Sequence, residues 1–231
     1  MKRSSVRRPA IDDLLSVMAR LRSPTGCPWD KEQDHMSLRF HAVEEVYELM
    51  DAIESGDDQE MMEELGDLLL QVVFHAQLAR ERKVFTFEKL TRNLVDKLIR
   101  RHPHVFGDTK AKDVDAVWAQ WEKIKRAEKK GTVHERPSAL DGIPRHLPAL
   151  LRAEKVTKKA RKAQLIPAQS NGRKPSRTQL AAALFNLAEQ AQAHGWSAEE
   201  LLRLETQRRE RGYRKAEAAQ RKTVEPIAAN P

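Results

Sequence analysis

Cysteine is almost absent from this chain of 231 residues; only Cys27 is present. An intramolecular disulfide framework and an all-cysteine zinc site are therefore excluded, and such thiol poverty suits a reducing compartment. Aromatic residues make up only 5% of the sequence, beside 9 Gly and 11 Pro. That supply of rings and turn formers is too thin for a many-stranded β-sandwich or barrel. No apolar run approaches the ~20 residues of a membrane span, and Met1-Lys2-Arg3-Ser4 leads into no apolar signal segment. With 40% apolar and 33% charged residues the chain can bury a core and is not wholly disordered. The expectation is a soluble, cytoplasmic, all-α protein.

The distribution of charge matters more than the net +8. Residues 1–149 carry 25 Lys/Arg and 26 Asp/Glu, whereas residues 150–231 carry 17 and 8, so the basicity belongs to the C-terminal third. Asp30 to Asp67 holds 14 acidic residues and only two basic ones, Lys31 and Arg39, and neither Lys nor Arg occurs between Arg39 and Arg80. Such a stretch either faces water or collects cations. A basic third is compatible with nucleic acid, but a solvated helix surface explains it as well.

Helical periodicity divides the chain. Ile11, Leu14, Leu15, Met18 and Leu21 mark a first helix after an arm ending at Pro9. A second is expected over about Ser37–Glu54, with Val43, Val46, Met50 and Ile53 on one face and Ser55-Gly56-Asp57 closing it. A third, about Asp58–Arg82, carries so many apolar residues from Leu65 to Leu78 that its second half should be buried on nearly every side. A fourth spans about Thr86–Arg101 and ends at His102-Pro103; a fifth covers about Asp113–Lys129. Gly131, Pro137, Gly142 and Pro144 mark a boundary. Beyond it lie a basic helix over Leu147–Ala163, a polar loop over Pro167–Ser176, two helices within Gln179–Gln220 and a tail expected to be disordered.

An internal repeat is visible. Leu65-Gly66-Asp67-Leu68-Leu69-Leu70-Gln71 aligns at a constant offset of 115 with Leu180-Ala181-Ala182-Ala183-Leu184-Phe185-Asn186. After a shorter connection, Lys97 and Arg100 match Arg208 and Arg211. The second copy has lost its acids: Glu64 becomes Gln179, Asp67 becomes Ala182, and Glu45 and Glu48 fall on Ala160 and Ala163.

Those lost acids form the chemical centre of the first copy. Residues three or four apart share a helix face, so Glu45 pairs with Glu48 and Glu64 with Asp67, each as a two-carboxylate claw. The 15 residues between Glu48 and Glu64 suffice to finish one helix, turn, and oppose the claws in an antiparallel pair. The Glu64–Asp67 face continues through Gln71, Phe74 and Leu78, so it heads inward. A carboxylate entering a dry interior costs several kcal/mol unless something positive meets it, and neither helix offers a cation. A bound ion is the remaining compensation, and an all-oxygen set favours Mg²⁺ or Mn²⁺ over zinc or copper. A di-iron carboxylate bundle would need two Glu-x-x-His pairs; Glu32 with His35 is a single one, outside the bundle pattern. His75 reads as a helix-face histidine.

These motifs resemble the MazG family of nucleoside triphosphate pyrophosphohydrolases. The resemblance is carried by Gly26-Cys27-Pro28-Trp29-Asp30-Lys31-Glu32-Gln33, Glu44-Glu45-Val46-Tyr47-Glu48, Glu63-Glu64-Leu65-Gly66-Asp67-Leu68-Leu69 and the segment from Lys97 to Phe106. It covers about residues 10–130 and continues through Ile143 to Leu150. It implies an all-α, MazG-like helical bundle completed by homodimerisation, Mg²⁺ dependence with Mn²⁺ as a substitute, and cleavage of a nucleoside triphosphate to monophosphate and pyrophosphate. Residues 1–130 would form the catalytic module, 131–146 a linker, 147–222 a degenerate second repeat and 223–231 the tail.

Within that resemblance Glu45, Glu48, Glu64 and Asp67 hold the metal, while Glu44 or Glu45 takes the proton of the attacking water. A triphosphate can approach four carboxylates only if cations bridge the two sets of oxygens. Lys97, Arg100 and Arg101, at i, i+3 and i+4, converge to hold the β- and γ-phosphates, and Trp121 with Lys125 resembles a family pair that covers the base. Cys27 and Trp29 shape a loop. The alternative reading is a non-catalytic, nucleotide-sensing or nucleic-acid-associated helical dimer that uses the basic third. Neither a membrane nor, on the leading reading, a nucleic acid is an expected partner.

Overall fold

A computed structural model describes residues 8–166 and 174–224. Most of the polar loop expected over Pro167–Ser176, and the tail from residue 225, lie outside the described residues. The regular structure among the described residues is entirely helical: α1 (Ala10–Leu21), α2 (Pro28–Glu32), α3 (His41–Ser55), α4 (Asp58–Glu81), α5 (Phe87–Arg101), α6 (Pro103–Phe106), α7 (Val114–Ala127), α8 (Ala149–Lys162), α9 (Arg177–Ala193) and α10 (Ala198–Val224). No described helix is long and apolar enough to cross a membrane. The chain divides into two compact units, one ending at Trp121 and the other beginning at Glu122, so the division falls inside α7.

In the first unit, α4 is the axis. Met18 of α1 and Leu38 meet Val73, Phe74 and Leu78 of α4 in a buried core, flanked by Leu14, Leu15, Leu70 and Phe87. As expected, the second half of α4 is largely buried, although Val72 remains 38% exposed. Gly26 turns the chain out of α1; a Cβ there would lie 2.0 Å from the Leu21 carbonyl oxygen, so only glycine fits. Arg22 then ties the following loop to the end of α4. It donates to the carbonyl oxygens of Asp30 and Gln33 and pairs with Glu81 at 2.8 Å, which holds the Glu81 carboxyl below its usual range.

The α3 helix begins at His41, four residues later than the spacing predicts. Asp34 accepts the backbone N–H groups of Met36 and Ser37 at 2.7 and 2.8 Å, a local turn that competes with helix from Ser37 to Phe40. At its other end Gly56 takes φ +74°, the left-handed cap that suits glycine. Asp57 caps α4 by accepting from Gln59 and Glu60 N–H at 2.9 and 3.1 Å. The two-residue turn of Gly56 and Asp57 folds α3 and α4 into a hairpin. Toward α4, α3 presents Ala42, Glu45, Leu49 and the fully buried Ala52, a thin seam of i, i+3, i+7 and i+10 positions. Its broad apolar stripe lies outside that seam: Val46 is 41% and Ile53 56% exposed, with Val43 and Met50 between them.

The same loop is clipped to α4 by an imidazole pair. His35 and His75 meet Nδ1 to Nδ1 at 2.8 Å, with rings within 13° of parallel and centroids 5.1 Å apart. That separation matches the nitrogen gap plus two ring radii, so the rings meet end to end and one donates while the other accepts. His75 is therefore a helix-face histidine satisfied by its partner. Burial, and then the charge of His35, lowers its pKa from 6.5. A folded-state pKa below the unfolded one gives stability that is present above about pH 6.5 and is lost as pH falls through the folded value. Replacing His75 with Asn should flatten the melting temperature against pH from about 6.5 downward. An unchanged profile would show that the pair does not couple to folding.

In the second unit α8 lies against α10, and α9 packs on α10. The segment 131–146, expected as a linker, is fastened into this unit. Glu217 accepts from Ser138 Oγ and Ala139 N–H at 2.5 and 2.8 Å, Arg214 pairs with Asp141 at 2.6 Å, and Lys159 donates to the Asp141 carbonyl. Of the residues aligned with the acids of the expected first copy, Ala160 is wholly buried and Ala182 exposed, and Gln179 completes a capping box with Ser176 at the start of α9.

Candidate active site

The hairpin brings three of the four expected ligands together. One carboxylate oxygen from each of Glu45, Glu48 and Glu64 lies within 4.8 Å of the other two. Asp67 follows Glu64 by one turn on α4 but stays exposed and outside that grouping. Its charge is nonetheless felt there. Burial, then Glu48, Asp67, Glu45 and Glu60, raise the Glu64 carboxyl above its ordinary value. No Lys or Arg stands between Arg39 and Arg80 to relieve the repulsion from within these helices. Converging oxygens without a cationic side chain form a donor set that fits a hard divalent ion such as Mg²⁺ or Mn²⁺.

Glu44 sits apart from the cluster. It is exposed and accepts from His41 Nδ1 at 3.1 Å, a pair of residues at i and i+3. Glu45, by contrast, is half-buried and accepts from Gln71 Nε2 at 3.2 Å. Gln71 itself is 8% exposed. In the sequence Gln71 marks the turn of this face toward the apolar core, and its spacing, seven after Glu64 and four after Asp67, puts it on the face of both acids.

The basic residues occupy the C-terminal half of α5, which packs against α4. Lys97 is half-buried and Arg100 exposed. The Arg101 guanidinium lies 5.2 Å from the Trp121 ring centre, and His102 meets that ring edge-on at 5.0 Å. His102 is thus a neighbour of the expected base-covering tryptophan that spacing did not reveal. It is held by a 2.7 Å bond between Nδ1 and the Leu98 carbonyl. Lys125 pairs with Glu122 at 3.1 Å.

Residues 33–106 match the MazG nucleotide pyrophosphohydrolase domain, a span that includes the carboxylates, Gln71, Lys97, Arg100 and Arg101 but not Trp121 or Lys125. The chain is 50% identical over 150 residues to the nucleoside triphosphate pyrophosphohydrolase of Escherichia coli K12, covering 64% of this chain and 56% of that protein. It is 50% identical over 149 residues to the nucleoside triphosphate pyrophosphohydrolase/pyrophosphatase MazG of Thermotoga maritima, with the same coverage. It is also 48% identical over 143 residues to the uncharacterized protein YabN of Bacillus subtilis, 62% of this chain and 29% of that one. The chain thus spans little more than half the length of the first two relatives and less than a third of YabN's. The match falls on residues 33–106, which hold the α3–α4 hairpin and its carboxylate cluster, and there the chain is similar to the MazG nucleotide pyrophosphohydrolase domain.

Proposed function

We propose that the protein hydrolyses nucleoside triphosphates to the monophosphate and pyrophosphate in a Mg²⁺-dependent reaction, serving nucleotide-pool control in the cytoplasm. The observation that carries this reading is the meeting of Glu45, Glu48 and Glu64 oxygens within 4.8 Å, without a compensating side chain, inside the family domain. A bound Mg²⁺ supplies charge neutralisation between these acids and the triphosphate and acidifies a coordinated water. Glu45, Glu48 and Glu64 hold it, with Asp67 completing the set. Glu44, bonded to the His41 imidazole, or Glu45 accepts the proton from the water that attacks the α-phosphorus. The bond from the α-phosphorus to the bridging oxygen breaks, and pyrophosphate leaves. Lys97, Arg100 and Arg101 hold the β- and γ-phosphates, and Trp121 and Lys125 serve the base.

The exposed stripe of Val43, Val46, Met50 and Ile53 on α3 lies beside Leu65 and Leu69 of α4, themselves 49% and 39% exposed. Each Å² of such surface gains about 25 cal/mol on burial, and a second copy of the chain is the partner this reading assigns to it. The basic third does not favour the nucleic-acid alternative. Several of its arginines are drawn into internal pairs: Arg152 with Glu210, Arg203 with Glu199, Arg208 and Arg209 with Glu205, and Arg221 with Glu217.

Incubation with each nucleoside triphosphate and Mg²⁺ should yield monophosphate and pyrophosphate in equal amounts. Diphosphate and orthophosphate would refute the reading. Replacing Arg100 with Ala should weaken triphosphate binding about 10- to 100-fold, the range of a charge-assisted hydrogen bond, and leave nucleoside binding unchanged. Equal weakening of both ligands would instead make Arg100 structural.

A further inference from the structure

Gln71 has a buried atom that the fold does not satisfy. Its side chain is 8% exposed, Nε2 donates to Glu45 Oε1 at 3.2 Å, and Oε1 is buried with no partner among the described residues. The amide cannot be turned over, because the carboxylate accepts and does not donate; pointing Nε2 at Glu45 fixes where Oε1 goes. A buried carbonyl left without a donor costs about 1–3 kcal/mol. Glutamine in the middle of α4, between Leu70 and Val72 and one turn before the buried Phe74, therefore makes no sense as packing alone. A leucine or methionine would fill the place without that cost.

We infer that Gln71 is a positioning residue of the cation site. Through Nε2 it fixes the rotamer of Glu45 and engages one carboxylate oxygen, and its orphaned Oε1 accepts a hydrogen bond from a water in the shell of the cation. The inference rests on the proposed metal-binding role of Glu45, Glu48 and Glu64. The position suits the role: Gln71 lies on the α4 face of Glu64 and Asp67, one turn deeper, where the site ends and the core begins with Phe74. Side chains that orient ligating carboxylates typically change metal affinity 10- to 100-fold when removed.

The test is titration of the full-length protein with Mn²⁺, read by electron paramagnetic resonance of the free ion, for the wild type, Gln71→Met, Gln71→Asn and Glu48→Gln. Thermal melts of each are recorded without metal. Methionine keeps the unbranched stem and fills the space, whereas asparagine keeps the amide but is one carbon too short to reach Glu45. Gln71→Met should melt without metal at the wild-type temperature or above, because an unsatisfied carbonyl is gone. It should bind Mn²⁺ 10- to 100-fold more weakly, and its hydrolysis should recover at high Mg²⁺ with kcat retained. Gln71→Asn should bind Mn²⁺ as weakly as Gln71→Met. Wild-type Mn²⁺ affinity in Gln71→Met, alongside lost affinity in Glu48→Gln, would overturn the role of Gln71 and leave the cation site standing. A fall of several degrees in the metal-free melt of Gln71→Met would make Gln71 a packing residue. Unchanged affinity in Glu48→Gln would remove the cation site and this inference with it.

Discussion

Replacing Glu64 with Gln is expected to leave the metal-free protein as stable as the wild type or more so, while abolishing both Mg²⁺-induced stabilisation and pyrophosphate release. The amide keeps the shape and removes one charge from a cluster in which burial, and then the charges of Glu48, Asp67, Glu45 and Glu60, push the Glu64 carboxyl toward its protonated form. A carboxyl raised in the folded state contributes stability that is full below its unfolded pKa and is lost as pH rises through the folded one. As pH rises through the folded value the wild type loses that contribution, and the Gln variant has nothing to lose. Added cation stabilises only a state that binds it, so the wild type should gain melting temperature with Mg²⁺ and the variant should not. Thermal melts with and without Mg²⁺, beside a pyrophosphate assay, check both halves. A variant that melts several degrees lower without metal and still turns over would make these carboxylates structural.

The second large effect belongs to the other unit. Arg152 on α8 is 5% exposed and pairs with Glu210 at 2.5 Å, while its Nε and Nη1 have no partner among the described residues. Glu210 is held below the ordinary carboxyl range: burial opposes this, and bonds from Arg214 and Arg152 prevail. Replacing Glu210 with Ala should therefore destabilise the α8–α10 packing by about 3–5 kcal/mol, the usual result of stranding a buried charge. Replacing Arg152 with Met and Glu210 with Leu together should restore most of it, because an apolar pair needs no counter-charge. Hydrogen exchange of the α8 and α10 amides reads both variants. A loss below about 1 kcal/mol in the single variant would place Arg152 in a solvated environment.

Much of the site was legible because its chemistry is local. Glu45 with Glu48, and Glu64 with Asp67, are each one helical turn apart, and Gly56 with Asp57 announced the turn that opposes them. What stayed hidden depends on partners far along the chain. His35 and His75 are 40 residues apart, Gln71 and Glu45 are 26, and Arg152 and Glu210 are 58. Periodicity found the stripe of α3 but could not say what covers it, since an amphipathic pattern reports a face and not its neighbour. The late start of α3 has a local cause that spacing overlooks: the Asp34 carboxylate satisfies two backbone N–H groups and so offers a turn in place of a helical beginning.

The most direct test of the cation site is a Mn²⁺-soaked crystal with data collected at the manganese absorption edge. A single anomalous peak among the carboxylates of Glu45, Glu48 and Glu64, within about 2.0–2.4 Å of their oxygens, is the predicted result. A fully soaked crystal with no peak there, or with its peak on other residues, would contradict it.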